Sequence, residues 1–336
     1  MREVPTIDEP VPVLHLSEEE TAELSREVRA LAAERDAVIL AHNYQVPEVQ
    51  AVADFVGDSL ALSRQAAAAR ADVIAFCGVH FMAETASVLS PDKTVLIPDL
   101  EAGCSLSDSV TANELRNWKS RHPGAVVVMY VNTSAEVKAE TDYCCTSSNA
   151  VQVVEHVYRE HGPDTEILFG PDVWLGSYVE RVTGRRMHVW PGECHVHAGI
   201  TAADVVRART AHPDAELLIH PECASLDAVV ESAGGGEPVS HGIHVLSTGG
   251  MLNRVREHPD REYVVATETG MLDPLTRAAP RARLVAANER AVCKYMKMIT
   301  LPKLRDSLRE GRFEVRVPPA VAERARTPIE RMVEIG

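Results

Sequence analysis

Three of the seven cysteines, Cys104, Cys194 and Cys293, recur at intervals of roughly 90 residues. Three thiolates gathered from distant segments can hold a [4Fe–4S] cluster on three of its irons and leave the fourth open. An open iron can bind a substrate hydroxyl or carbonyl oxygen as a Lewis acid, which is the assistance a dehydration needs. The spacing alone is weak, because no local CxxC motif is present and a free cysteine serves equally well as a small buried hydrophobe. A zinc site from Cys194, His195 and His197 is the competing metal reading, and it lacks a nearby second half. The other cysteines read as packing. Cys77 sits inside an apolar run, Cys144 and Cys145 are vicinal and point different ways, and Cys223 follows Glu222.

A second set of reactive side chains stands just after short β-branched or aliphatic runs. Residues 38–40 release His42-Asn43-Tyr44-Gln45, residues 126–129 release Tyr130-Val131-Asn132-Thr133, and residues 217–219 release His220-Pro221-Glu222-Cys223. Singly, each of these polar residues can be a helix cap or a turn. Together His42, Tyr44, Tyr130, Asn132, His220 and Glu222 offer two imidazoles, two phenols, an amide and one carboxylate. That set suits a small, multiply anionic, oxygen-rich substrate and a general base. Ser59, Ser147 and Thr248 each precede a helical pattern, where backbone N–H groups and the helix dipole favour carboxylate or phosphate. An ordinary N-cap explains such hydroxyls too, and the two roles can coexist.

These residues imply a repeat. Ser59 follows His42 by 17 residues, and Ser147 follows Tyr130 by the same 17. In the third copy His220 precedes Ser247 and Thr248 by about ten residues more, with glycines 234–236 marking a loop insertion. Helical patterns at residues 60–69, 149–159 and 251–257 are each followed by a strand, at 73–77, 166–169 and 263–266. A last strand in each copy, at 95–98, 187–190 and 283–286, then leads to a cysteine. The expectation is an α/β protein of three parallel-sheet αβα units related by pseudo-threefold symmetry around a central iron–sulfur site. Ligands then bind outside the carboxyl ends of the strands. The units run over residues 1–103, 104–193 and 194–299. A helix at residues 17–35, opened by a Ser17/Glu20 capping box, belongs to the first unit, and a helical tail at 300–336 packs back on it. The competing arrangement is one large doubly wound sheet with generic strand–helix grammar.

Composition narrows the partners. Lysine and arginine total 34 against 49 acidic residues, a net charge of -15, and aromatics make up 4% of the chain. A phosphate-neutralising surface with stacking platforms is excluded, so no nucleic-acid partner is expected. The longest apolar runs are far below the ~20 residues of a membrane span. The N-terminal residues lack the basic start and apolar core of a signal peptide, so the expected location is cytoplasmic, where thiols stay reduced. GxGxxG after the first strand, GxxxxGK[ST], HExxH and GxSxG are all absent, which argues against a dehydrogenase, an ATPase, a zinc protease and a serine hydrolase.

Seven short motifs, taken in order, resemble one known family. They are AHNYQ at 41–45, GDSLALS at 57–63, YVNT at 130–133, CTSSNA at 145–150, PGECHVH at 191–197, HPEC at 220–223 and STGGM at 247–251. The chain is similar to the quinolinate synthase family from about residue 38 to residue 298. The resemblance implies a triangular trio of α/β units around a [4Fe–4S] cluster on Cys104, Cys194 and Cys293. It also implies condensation of iminoaspartate with dihydroxyacetone phosphate to quinolinate for NAD synthesis, releasing phosphate and two waters. Matched position by position, His42, Ser59, Tyr130, Asn132, Ser147, His220, Glu222 and Thr248 bind substrate, and Tyr44 and His197 line the same pocket. Glu222, Tyr44 and His220 are the catalytic candidates, with Glu222 the best-placed base. A transient contact with the aspartate-oxidising enzyme that makes iminoaspartate is the implied protein partner. Two departures stand out. Lys294 follows the third cysteine where many members have proline, and the third unit's loop is lengthened around residues 234–236. Two rival readings share the cluster: a hydro-lyase of the aconitase kind, which needs no phosphate, and a non-enzymatic iron–sulfur sensor.

Overall fold

The computed structural model describes residues 6–7, 11, 14–232 and 242–336, so the insertion at glycines 234–236 lies outside the described residues. Aliphatic and β-branched runs become strands, and the strands gather into three separate sheets. The first holds β1 (Ala37–His42), β2 (Phe55–Gly57), β3 (Val73–Cys77) and β4 (Thr94–Leu96) in the order β2-β1-β3-β4. The second holds β5 (Val126–Tyr130), β6 (Tyr143–Cys145), β7 (Ile167–Gly170) and β8 (His188–Val189) in the order β6-β5-β7-β8. The third repeats the pattern as β10-β9-β11-β12, with β9 (Glu216–Ile219), β10 (Ile243–Val245), β11 (Glu262–Ala266) and β12 (Arg283–Ala286). All pairings within the three sheets are parallel.

The threefold repeat and the α/β class therefore hold, and the single large sheet does not. Each unit has one more strand than the sequence suggests. The additional strands, β2, β6 and β10, span three residues each. Three residues are too few to register as alternation or as an apolar run. They matter because they deliver the hydroxyl-bearing segments at Ser59, Ser147 and Ser247. In each sheet the chain leaves the first strand to one side and returns to the other. The switch point beside β1, β5 and β9 is where ligands bind in open parallel sheets. The three polar tetrapeptides start at those three strand ends.

The central strands are buried on both faces. Along β5, Val126, Val128 and Tyr130 enter a core shared by all three units, while Val127 and Met129 enter a core private to the second. In β11, Tyr263 and Val265 face the shared core while Val264 and Ala266 face the third unit's own. This alternation comes from the two-residue period of the strand. It binds the units into one body rather than a string of modules.

The first helix, Glu18–Glu34, begins with the expected capping box at Ser17 and Glu20. The chain's end divides its contacts. Helix Leu301–Glu310 packs on Glu18–Glu34, and Glu314 adds an antiparallel bridge to Leu96 of β4. The last helix, Pro319–Glu334, crosses from the first unit's His80–Leu89 helix to β6 and the Ala135–Lys138 helix of the second. Among the described residues no helix is long and apolar enough to cross a membrane.

Candidate active site

One cavity between the three sheets receives the three tetrapeptides and the three cysteine loops. It is lined from the first unit by His42, Tyr44 and Ser59, and from the second by Cys104, Tyr130, Asn132 and Ser147. The third supplies Cys194, His197, His220, Glu222, Thr248 and Cys293. Every site residue singled out in the sequence is thus in the same place. No lysine or arginine appears among the described lining residues.

Glu222 is the hub. It is 2% exposed, and Tyr130 Oη donates to its Oε1 at 2.5 Å. His197 Nδ1 lies 3.2 Å from Oε2, and His220 Nδ1 lies 3.5 Å from Oε1. The two imidazoles stack with centroids 4.5 Å apart. Burial would raise the Glu222 carboxyl, but His197, His220 and the Tyr130 hydrogen bond outweigh it and hold it down to about 2. Burial pushes both His220 and His42 down to about 3, with Lys297 adding to the effect at His42. At neutral pH the site therefore holds a carboxylate beside neutral imidazoles at His42 and His220. Burial also raises the phenols of Tyr44 and Tyr130 well above their ordinary value, so both remain donors. Tyr44 Oη reaches Thr267 Oγ1 at 2.6 Å and His197 Nε2 at 3.3 Å, a short relay across the first and third units.

The hydroxyls are free of capping duty. Asp58, not Ser59, caps the helix Ser59–Ala68 by accepting from Ala61 N at 2.8 Å. Ser247, not Thr248, caps Thr248–Glu257. Ser147 lies two residues before the Asn149 cap position and meets His220 Nε2 at 3.2 Å. Thr248 Oγ1 accepts from Asn43 Nδ2 at 3.0 Å. The neighbours also lock the units together, since Ser148 Oγ lies 2.7 Å from Asp58 Oδ2 and 2.9 Å from Ser247 Oγ. Gly249 keeps this junction open, because a Cβ there would sit 2.7 Å from Asp58 Oδ2. Among the cavity's buried atoms, Asn132 Oδ1 has no hydrogen-bond partner among the described residues. Such an atom calls for a ligand.

Each cavity cysteine starts a single helical turn. The carbonyls of Cys104, Cys194 and Cys293 accept from Asp108 N, Ala198 N and Lys297 N at 3.0, 2.8 and 3.2 Å. Burial pushes the thiols of Cys104 and Cys293 up to about 12 and 11, and that of Cys194 well above its ordinary value. Backbone amides three residues on, at Ser107, His197 and Met296, pull the other way at the respective sulfurs. Buried thiols with amides aimed at them become thiolates when a positive group arrives. No single-ion grouping joins the three cysteines among the described residues, whereas Cys194, His197 and Glu222 have ligand atoms within 4.8 Å of one another. His195 does not join that grouping. Its Nδ1 meets Ser105 Oγ at 2.8 Å, so the zinc set Cys194, His195 and His197 does not form. Cys77, Cys144, Cys145 and Cys223 lie in the packed core, and Cys223 Sγ donates to Ala266 O.

Sequence reasoning missed an ion pair whose carboxylate, Glu268, lines the cavity. Glu268 is fully buried and pairs with Lys297 at 2.8 Å. Glu268 accepts from Cys293 N at 3.0 Å, and Lys297 Nζ donates to the Tyr44 carbonyl at 2.5 Å. The pair thus ties the third cysteine's loop to the first unit's tyrosine. Its signal was present: Thr267-Glu268 is another polar cluster released by a strand end, β11.

The family model described as NadA, quinolinate synthetase A protein, matches residues 26–334. A quinolinate synthase of Mycobacterium tuberculosis (strain ATCC 25618 / H37Rv) is 58% identical over 311 residues, covering 92% of this chain and 88% of that protein. One from Mycobacterium sp. (strain KMS) is 57% identical over 317 residues, covering 94% and 93%.

The buried imidazoles set an acid limit on the fold. In the unfolded chain His42 and His220 take up protons near pH 6.5, whereas in the folded chain they resist until about pH 3. The unfolded state binds more protons across that window, so stability is full above it and falls on acidification. The slope is about 1.4 kcal/mol per pH unit for each imidazole. Glu222 adds a smaller loss between its ordinary range and about pH 2. Denaturation midpoints of metal-free protein should drop steadily below pH 6.5, and His42→Gln should remove about half of the two imidazoles' combined drop.

Proposed function

The chain belongs to the quinolinate synthetase A family, and from that membership we propose that it condenses iminoaspartate with dihydroxyacetone phosphate to give quinolinate, phosphate and two waters. The observation that carries the reading is the meeting of three cysteines, the buried Glu222 carboxylate and three helix-start hydroxyls in one cavity with no lysine or arginine among its described lining residues. Two substrate carboxylates and a phosphate need donors that add no bulk. Ser59, Ser147, Thr248 and the helix N-termini beside them are such donors.

Cys104, Cys194 and Cys293 would hold a [4Fe–4S] cluster, a fit supported by their amide-directed buried thiols and by spacing too wide for one shared ion. When bound, such a cluster supplies an iron without a protein ligand, a Lewis acid for a departing hydroxyl. The chain's own groups handle the protons. Glu222 takes a proton from a substrate carbon, and Tyr130, its donor at 2.5 Å, steadies the carboxylate before and after. Substrate anions entering the same cavity raise its basicity from the low value of the free site. Tyr44 passes a proton between substrate and the Thr267–His197 pair. Asn132 gives its unpartnered Oδ1 to a substrate donor. His42 and His220, held neutral, accept or donate one hydrogen bond each without repelling one another. Iminoaspartate, which hydrolyses in water, reaches the site from a transient contact with the aspartate-oxidising enzyme in the cytoplasm.

Anaerobically purified protein should contain about four irons and four sulfides per chain. Alanine at Cys104, Cys194 or Cys293 should abolish the cluster, while Cys77→Ala and Cys144→Ala should keep it. A single zinc in place of iron and sulfide would instead favour the Cys194, His197 and Glu222 grouping.

Glu222→Gln keeps size and hydrogen bonding but removes basicity. Quinolinate formation should fall by ~10²-fold or more with the cluster and substrate binding intact. Near-normal turnover in fully loaded protein would move the base to His220 or Tyr44. Release of phosphate in step with quinolinate separates this reaction from an aconitase-like dehydration.

Ser59→Ala and Ser147→Ala remove hydroxyls that cap nothing. Apparent substrate affinity should weaken at least about tenfold, while the stability change stays below the ~1 kcal/mol of a lost cap. Lost stability with unchanged affinity would return both serines to a structural role.

A further inference from the structure

A second set of metal-ligating side chains stands at the opposite end of the second sheet, where the strands begin. His122 closes the helix Ala112–Arg121 four residues before β5, Glu166 immediately precedes β7, and His188 lies on β8. One carboxylate oxygen, Glu166 Oε2, faces both rings, with His122 Nδ1 at 3.6 Å and His188 Nε2 at 3.8 Å. The two imidazole centroids are 4.1 Å apart. All three ligand atoms lie within 4.8 Å of one another.

We propose that His122, Glu166 and His188 form a surface site for a divalent transition metal of the zinc type, separate from the cysteine cavity. Two imidazole nitrogens and one carboxylate oxygen are a known zinc set, and they leave a fourth position for water. A tetrahedral ion about 2.0–2.2 Å from each ligand requires ligand atoms about 3.3–3.5 Å apart. The two carboxylate–imidazole separations need to close by only a few tenths of an ångström, the two nitrogens lie within 4.8 Å of each other, and side chains that are 24%, 60% and 46% exposed can make the adjustment. The backbone holds the three close. Val126 N donates to Glu166 O, and Leu168 of β7 pairs with His188, so Glu166 and His188 stand at the starts of adjacent strands while His122 sits on the turn leading into β5. A net charge of -15 favours cations over the whole surface.

The ion has a structural consequence. β8 is an edge strand of two residues, the shortest in the protein's described sheets, and it leads through Pro191 and Gly192 to Cys194. A metal joining His188 to Glu166 and His122 clasps that edge to its neighbours.

The test is a Zn²⁺ titration of cluster-loaded protein after chelator treatment. A competing colorimetric indicator reads the zinc, and the iron–sulfur absorbance is followed throughout. Wild type should bind one zinc per chain more than the His122→Ala/His188→Ala variant, with the iron–sulfur absorbance unchanged. Glu166→Gln should weaken that zinc by about tenfold or more. Hydrogen exchange at residues 188–189 should slow on adding Zn²⁺ to wild type and not to the double variant. Equal zinc stoichiometry in wild type and the double variant overturns the proposal, as does exchange at β8 that ignores Zn²⁺.

Discussion

Glu222 is a carboxylate buried at 2% exposure in a cavity without a lysine or arginine on its described walls. Leaving an ionised carboxylate there unpaired costs several kcal/mol. The fold meets that demand from separate units: a phenol at the end of β5 donates to the carboxylate, and the imidazoles of His197 and His220 in the third unit stand 3.2 and 3.5 Å from its oxygens. None of the three sheets could keep this group charged alone. The shared core is the consequence, because one face of each sheet must turn inward for Tyr130 and Glu222 to come within 2.5 Å.

The same constraint explains why one strand order occurs three times. A parallel sheet that winds outward and back leaves its first strand end exposed to a crevice, and it points helix N-termini toward that crevice. Three such crevices placed face to face make a chamber whose positive character comes from backbone amides rather than side chains. The Asp58–Ser148–Ser247 contacts close it between helix starts of all three units. The C-terminal helix Pro319–Glu334 braces the first and second units from outside.

Much of this was legible because the strand ends are also the places where sequence changes character. An apolar run that stops at His42, Tyr130 or His220 announces both the strand and its polar product. Equal spacing to Ser59 and Ser147 then revealed the repeat, although β2 and β6 were too short to be seen in it. Ser59 and Thr248 looked like caps, but the capping belongs to the residue before each, and only atomic contacts separate those roles. Glu268 and Lys297 were hidden for a different reason. An ion pair between residues 29 positions apart leaves no periodic trace, and its value lies in what it holds: the Cys293 amide and the Tyr44 carbonyl.

The placement of formal charge bears on how an anionic ligand is held in the chamber. Three cysteines, Glu222 and Glu268 line it, and the ammonium of Lys297 is already engaged by Glu268. Ser59, Ser147 and Thr248 line it too, beside helix starts, and carry no formal charge. An anionic ligand entering without a bound positive group finds its only favourable electrostatics at the helix starts. Its anionic groups are drawn there, away from the buried carboxylates. Anion binding in this chamber therefore rests on backbone amides and hydroxyls, with no lysine or arginine on its described walls. A basic side chain there would bind anions more tightly but would also pair with Glu222, the buried carboxylate beside it.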